Sequence, residues 1–315
     1  MKKISIITPC FNEADNIKEL YKRVSAVINE FHNYIFELIF IDNCSTDETV
    51  LLIKEIIKAD KRVRLIVNTR NFGHIASPYY GLLQCEGDAV IYLASDLQDP
   101  PEYISEFLGH WESGFKLVMG TKPVSKENKG LFLIRKLYYG ILDQFSEIPI
   151  LKDATGFGLY DNEVIKLLRQ INDPYPFLRG LICYLGYEIK SVQFEQPRRV
   201  RGITKNNLYT LYDIGILGII SHSKLPIRIL TFFGLLIGFI CILLAFIIFI
   251  MKLTYWNHFP LGIAPFIIGF LGLFGILFIF IGLIGEYIFI IHLKSQNRPI
   301  VIEKERINFE KDLKD

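Results

Sequence analysis

Ala94-Ser95-Asp96-Leu97-Gln98-Asp99-Pro100-Pro101 follows a short apolar run, Asp88 to Leu93, that reads as a buried strand. Two acidic residues and an amide oxygen crowd the strand's C-terminal end. In an open α/β sheet, ligands bind at that edge. Asp96 and Gln98 offer hard oxygen ligands suited to Mg²⁺ or Mn²⁺. Asp99 reads instead as a helix N-cap, with Pro100 at the first helical position and Glu102 closing the turn. Nothing local needs a carboxylate at Asp96, which makes it the functional candidate.

Upstream of that stretch, strand and helix patterns alternate. Ile4–Thr8, Phe36–Ile41, Val63–Val67 and Ala89–Leu93 read as strands. Ala14–Phe31 carries apolar Ile17, Leu20, Tyr21, Val24, Val27 and Ile28 on one helical face. Asp47–Ala59, started by Ser45 or Thr46, and Ile75–Cys85 are the other expected helices. This alternation predicts βαβ units, right-handed crossovers and a mostly parallel sheet. Each strand ends in polar residues: Pro9-Cys10-Phe11-Asn12-Glu13, then Asp42 to Asp47, then Asn68 to His74, then Ser95 to Asp99. One such loop is weak, since these residues also cap helices. Four at successive strand ends make a site. There is no G-x-G-x-x-G and no G-x-x-x-x-G-K-[ST], which disfavours a dinucleotide enzyme and a P-loop NTPase.

The chain has 315 residues and a formal net charge of +2. Its basic residues form no stripe, so no nucleic-acid partner is expected. Five cysteines without CxxC spacing fit a reducing compartment and argue against a zinc site. Ile229–Met251 and Phe259–Gly285 contain no charge, and each exceeds the ~20 residues that span a bilayer. Lys224, Arg228, Lys294, Arg298, Lys304 and Arg306 flank the pair, whereas the turn between the runs holds one lysine, Lys252. The positive-inside rule then puts both flanks in the cytoplasm. Tyr255 and Trp256 suit an interfacial anchor. The expected organisation is a cytoplasmic domain over 1–206, an amphipathic helix at the membrane surface over 207–227 and a two-helix transmembrane hairpin over 228–292. A loosely ordered cytoplasmic tail follows over 293–315. The expected location is a bacterial inner membrane, crossed more than once, with the catalytic domain and both termini cytoplasmic.

The motifs resemble glycosyltransferase family 2 along nearly the whole chain, and more narrowly its polyprenyl-phosphate glycosyltransferases. Pro9-x-Phe11-Asn12-Glu13 matches P-x-[YF]-N-E, and Asp42-Asn43-x-Ser45-x-Asp47 matches D-D-x-S-x-D. Arg70 to His74 matches R-N-F-G-H, and Ser95 to Glu102 matches the end of D-A-D-L-Q-D-P-P-E. Gly285-Glu286-Tyr287 and Arg298-Pro299 match the end of the second membrane helix. The resemblance implies a GT-A (Rossmann-like) fold and an inverting transfer from a nucleotide sugar, a UDP-sugar first, to polyprenyl (undecaprenyl) phosphate. It implies that Pro9, Phe11, Glu13 and Asp42 hold the base and ribose, with Asn43, Arg70, Ser95, Arg179, Arg198 and Arg201 completing the donor site. Asp96 and Gln98 would bind the Mg²⁺ or Mn²⁺. The catalytic set is Asp96 with Arg199, Lys205 and Asp153. Membrane lipid and a second copy of the chain are the further implied partners.

Some positions depart from the pattern. Asn43 replaces the second Asp of the nucleotide loop, Ala94 the first Asp of D-x-D, and Gly158 an Arg common in the acceptor-side segment Asp153–Tyr160. Arg198 to Lys205 offers three arginines and a lysine for phosphate. A lipid phosphate is already anionic at neutral pH and needs no strong base, whereas a sugar hydroxyl needs one. Asp153 and Asp161 are the candidate bases for that second case. Two rival readings stand beside the first. One is a transferase that extends a lipid-linked surface polysaccharide. The other is a non-catalytic membrane scaffold whose site is degenerate at Asn43 and Ala94.

Overall fold

The computed structural model describes residues 1–122, 151, 154–171, 173, 176–195, 197, 263–295 and 298–309, with scattered positions between 232 and 254. The first elements alternate as the pattern predicts: β1 (Lys2–Cys10), α1 (Ala14–Ile28), β2 (Tyr34–Asp42), α2 (Thr49–Ala59), β3 (Val63–Asn68), α3 (Gly73–Leu83) and β4 (Ala89–Tyr92). A 3₁₀ turn (Pro101–Tyr103) leads into α4 (Ile104–Glu112). Then come β5 (Leu117–Thr121), β6 (Ala154–Asp161), α5 (Asn162–Ile171), α6 (Leu178–Tyr184), β7 (Ile189–Gln193), α7 (Ile263–Ser295) and β8 (Glu303–Ile307).

The strands form one eight-stranded sheet in the order β7-β5-β6-β4-β1-β2-β3-β8. Its centre is parallel: β1 pairs with β2 and β4, and β2 with β3. Antiparallel partners flank that centre, β6 against β4 and β8 against β3. Helices cover both faces, so the central strands are buried on each side and read as nearly continuous apolar runs. In β2, Phe36, Leu38 and Phe40 meet α1 and α2 on one face, while Ile39 and Ile41 meet α3 on the other. Gly81 lets α3 lie close: a Cβ there would stand 2.8 Å from Ile41 Cγ2. Gly158 is equally constrained, because a Cβ would run into the Val118 carbonyl and the Met119 backbone of β5. The missing Arg at this position therefore has a packing reason.

One polar group interrupts β2. Glu37 is buried and meets Lys3 Nζ at 2.9 Å and Arg64 Nη1 at 2.8 Å, and Ser5 Oγ donates to it at 2.5 Å. Three strands are thus tied by one compensated charge, whose loss would leave two cations unpaired.

Two expectations are corrected. Helix α2 begins at Thr49 rather than Asp47, and neither Ser45 nor Thr46 starts it. Their side chains face Asp42 and Asn12, and Asp47 Oδ1 takes the Thr49 N–H at 3.0 Å. The C-terminal segment is not loosely ordered where it is described. Glu303–Ile307 forms β8, and the Thr69 N–H donates to the Ile302 carbonyl at 3.0 Å. The charged side chains of β8 are paired: Lys54 with Glu305 at 2.7 Å, and Glu303 with Tyr80 Oη and Arg306. An edge strand needs such cover.

Helix α7 runs 33 residues, through the second apolar stretch and ten residues past Gly285. Phe266, Phe270, Leu273, Leu277, Ile281, Ile284, Ile288 and Ile291 are exposed along it. Over the residues whose side chains are described, no helix is long and apolar enough to cross a membrane. In α7 those residues are interspersed with undescribed ones. The expected surface helix over 207–227 and the loop Lys122–Gly130 beyond its first residue lie outside the described residues. Most of the first apolar stretch does too.

Candidate functional site

The parallel register brings the C-terminal ends of β1, β2, β3 and β4 to one edge, so the four polar loops become neighbours. Three non-glycine residues with left-handed backbones sit there: Asn12 at φ 55°, Cys44 at φ 65° and Leu97 at φ 61°. Left-handed geometry costs a side-chain-bearing residue roughly 1–2 kcal/mol. Its concentration at one edge marks the loops as shaped by their packing.

The first two loops lock together. The Asn12 N–H donates to Ser45 Oγ at 2.8 Å, and the Thr46 N–H donates to Asn12 Oδ1 at 2.8 Å. Thr49 Oγ1 takes the Glu13 N–H at 2.9 Å and donates to Asp47 Oδ1 at 2.5 Å. Asp42 is fully buried, with its carboxylate facing the Ser45 N–H and hydroxyl. Burial pushes its carboxyl above the ordinary range, against the pull of those hydrogen bonds. At Asp47 burial also acts upward, but donors from Thr49 and Ala14 hold the carboxyl below that range. Glu13 is buried, and its Oε2 takes Asn16 Nδ2 at 2.6 Å. Pro9 and Phe11 are half-buried beside it.

Asn43 joins the second loop to the third. Its Nδ2 donates to Asn71 Oδ1 at 2.9 Å and to the Gly73 carbonyl at 3.1 Å. Its Oδ1 accepts from the Phe72 N–H at 2.9 Å and from Asn68 Nδ2 at 3.2 Å. The whole amide is used by protein partners, so Asn43 is placed to shape the loop rather than to face a ligand. Arg70 is exposed, with its guanidinium 4.0 Å over the Phe72 ring.

The fourth loop turns through Asp96, which is half-buried and takes the Gln98 N–H on Oδ1 at 3.1 Å. Ser95 is buried. Asp99 is not the helix cap: the turn at Pro101 has no side-chain cap, and Asp99 Oδ2 accepts the Ala94 N–H at 3.1 Å. This carboxyl closes the turn that carries Asp96. Burial, reinforced by the charge of Asp96, pushes it up to about 7. Tyr92 and Tyr160 stand behind the turn, both ionising above the usual tyrosine range because they are buried. The charge of Arg179, from α6, opposes that shift in both. Arg179 is thereby gathered to the fourth loop.

Among the described residues no three His, Cys, Asp or Glu side chains converge as a metal cage. Asp96 offers one carboxylate and Gln98 one amide oxygen, with Asp99 turned inward. That set fits a hard cation that draws its remaining ligands from water and a bound phosphate, as Mg²⁺ does. The charge pattern points the same way. Glu13, Asp42, Asp47 and Asp96 line the edge, and a diphosphate approaching them needs an intervening cation.

Asp161, a candidate base by sequence, is excluded by its position. It pairs in register with Ala89, at the opposite end of β4, and takes Trp111 Nε1 at 2.8 Å and the Glu163 N–H at 2.9 Å. Asp153, Arg198, Arg199, Arg201 and Lys205 lie outside the described residues. Sequence reasoning passed over Asn12, Asn68 and Asn71. Their only signal was membership of loops rich in asparagine.

Compared with known proteins, residues 5–168 match the family described as glycosyl transferase family 2. The chain is 32% identical over 305 residues to the bactoprenol glucosyl transferase of Shigella phage SfV, covering 96% of this chain and 98% of that protein. It is 30% identical over 311 residues to the uncharacterized glycosyltransferase YkcC of Bacillus subtilis, covering 97% and 94%. Among solved structures, glucosyl-3-phosphoglycerate synthase from Mycobacterium tuberculosis is 20% identical, with a TM-score of 0.47 and coverage of 70% and 78%.

Proposed function

This chain belongs to glycosyl transferase family 2, a family of sugar-transferring enzymes, and from that premise we propose that it moves a sugar from a nucleotide sugar to a polyprenyl phosphate at a membrane. The carrying observation is the similarity to a bactoprenol glucosyl transferase, which extends along nearly the full length of both chains. It therefore takes in the apolar C-terminal part as well as the sheet. A polysaccharide acceptor gives no reason for two long uncharged runs beside the site, whereas an acceptor that resides in the bilayer does.

The donor, a UDP-sugar by preference, lies across the four loops, with its base toward the first two and its diphosphate toward Asp96. Asp96 and Gln98 hold Mg²⁺ or Mn²⁺, which supplies Lewis-acid stabilisation of the departing diphosphate when bound. Asp99 fixes the turn that presents Asp96. The acceptor's phosphate oxygen is anionic at neutral pH and attacks without a general base. One displacement inverts the anomeric carbon. Arg179 is a cation available to phosphate on this side, and Arg198, Arg199, Arg201 and Lys205 join it in this reading. The apolar runs hold the enzyme in a bacterial inner membrane, with the sheet domain and both termini in the cytoplasm, and the helices pair in a homo-oligomer.

A transfer assay tests this reading. Protein in detergent receives Mn²⁺ or Mg²⁺, undecaprenyl phosphate and radiolabelled UDP- and GDP-sugars in turn. A chloroform-soluble labelled product, lost in Asp96→Asn, is expected, and its donor names the sugar. Label appearing only on an added lipid-linked oligosaccharide would transfer the proposal to polysaccharide extension.

A further inference from the structure

Asn43 is the position where the chain departs from the two-aspartate pattern, and its surroundings state which atoms it must present. The Phe72 N–H can only donate, so the side-chain atom 2.9 Å from it is an acceptor. The Gly73 carbonyl can only accept, so the atom 3.1 Å from it is a donor. Both ends of the Asn43 amide are therefore assigned by backbone groups, without the ambiguity that usually attends amide orientation. Asn71 is assigned in the same way. Its Oδ1 lies 2.8 Å from the Gly73 N–H, which fixes it as oxygen and requires a donor from residue 43. A carboxylate at 43 would set an anionic oxygen against the Asn71 oxygen and the Gly73 carbonyl at once, in a site 6% exposed. Unpaired polar groups in such a place cost far more than a lost surface contact.

We propose that Asn43 is a positioning residue, keyed as an amide to Asn71, that fixes the loop Asn71–Gly73 and with it the ring and guanidinium of Phe72 and Arg70 at the donor edge. The departure at Asn43 is thus a matched pair with Asn71 rather than decay of the site. The key is directional. At 71 both neighbours donate, Asn43 Nδ2 and the Gly73 N–H, so a carboxylate fits there. At 43 two of the four neighbours accept, so a carboxylate does not.

The test uses the full-length protein in detergent, and its binding arm rests on the functional reading above. Backbone hydrogen exchange of residues 68–74 is compared for wild type, N43D, N71D and N71L, with melting temperatures in parallel. N43D and N71L should speed exchange at Phe72 and Gly73 by about tenfold or more, equal to ~1.4 kcal/mol of local opening. N71D should leave exchange at the wild-type rate. Residue 71 is exposed, so N71L and N71D retain the fold even if N43D does not, and their contrast alone decides the key. Equal effects of N71D and N71L, or unchanged exchange in a folded N43D, would overturn the proposal. Calorimetric titration with UDP and GDP in Mn²⁺ should show weaker nucleotide binding in N71L, and unweakened binding would remove the positioning role. Wild-type protein that binds neither nucleotide would overturn the functional reading and leave exchange to decide the amide key.

Discussion

Asp99 carries the most consequential single-residue property outside the Asn43 pair. Its carboxyl is 4% exposed, accepts the Ala94 N–H and ionises near 7 rather than at the ordinary 3.8, because burial disfavours the charged form. The folded state thus prefers the protonated group. Its contribution to stability is complete below about pH 4, declines as pH rises toward 7 and is gone above that, at roughly 1.4 kcal/mol per pH unit through the window. Asp99→Asn keeps an acceptor for Ala94 and cannot ionise. With EDTA present, the variant should melt higher than wild type at about pH 8 and at the same temperature near pH 4. Parallel melting curves for the two proteins across that range would refute the assignment. Asp96, one turn away on the solvent side, is the residue whose loss should abolish transfer while leaving the melting temperature nearly unchanged.

At the scale of elements, β8 is the feature with most to explain. It caps the outer edge of β3 and ties the Ile302 carbonyl to Thr69, the residue before Arg70. Phe309 continues the cover, with the Arg64 and Arg306 guanidinium groups 5.1 Å and 4.8 Å from its ring. Asn308 Nδ2 donates to the carbonyls of Lys61 and Val63 at 2.8 Å and 2.7 Å. A chain ended after Pro299 loses all of these and exposes the full edge of β3. Such edges recruit other strands. The truncated protein should melt lower and aggregate at concentrations where the full chain stays dispersed, as light scattering during a thermal ramp would register. Unchanged melting and scattering would mean that β8 is merely laid against the sheet. Burial opposes the low ionisation of Glu303, and Arg306 and Tyr80 overcome it. The hold of β8 is therefore present at neutral pH and is lost as pH falls through that depressed range.

For the molecule as a whole, α7 sets the geometry. Thirty-three residues make a rod of about 50 Å, longer than the ~30 Å hydrocarbon core. Only seven residues separate its end at Ser295 from the start of β8 at Glu303. The helix therefore delivers the chain directly to the sheet edge that carries Arg70. If α7 crosses a bilayer, the donor edge is held near the membrane surface, where an acceptor phosphate lies. The full chain should float with phospholipid vesicles and resist extraction by alkaline carbonate. Release by carbonate would reduce the association to a surface contact and take the bilayer-resident acceptor with it.

The sequence by itself determined the alternation of strands and helices, the edge where the loops meet and the family, because these depend on local periodicity and on short contiguous motifs. The strand boundaries from Ile4 to Leu93 needed only the alternation of apolar and turn residues. Tertiary structure alone decided what Asp99, Asn43, Asp161 and Gly158 do. Asp99 reads as a cap from Asp-Pro-Pro-Glu, yet burial turns it onto Ala94. Asn43 reads as a lost carboxylate, yet Phe72 and Gly73, thirty residues on, demand an amide. Asp161 reads as a possible base, yet antiparallel pairing carries it to the far end of β4. The tail reads as solvated charge, yet β3 offers an open edge 230 residues earlier in the chain, and unpaired backbone groups there bind it. Each of these outcomes depends on partners distant in sequence, which no local pattern encodes.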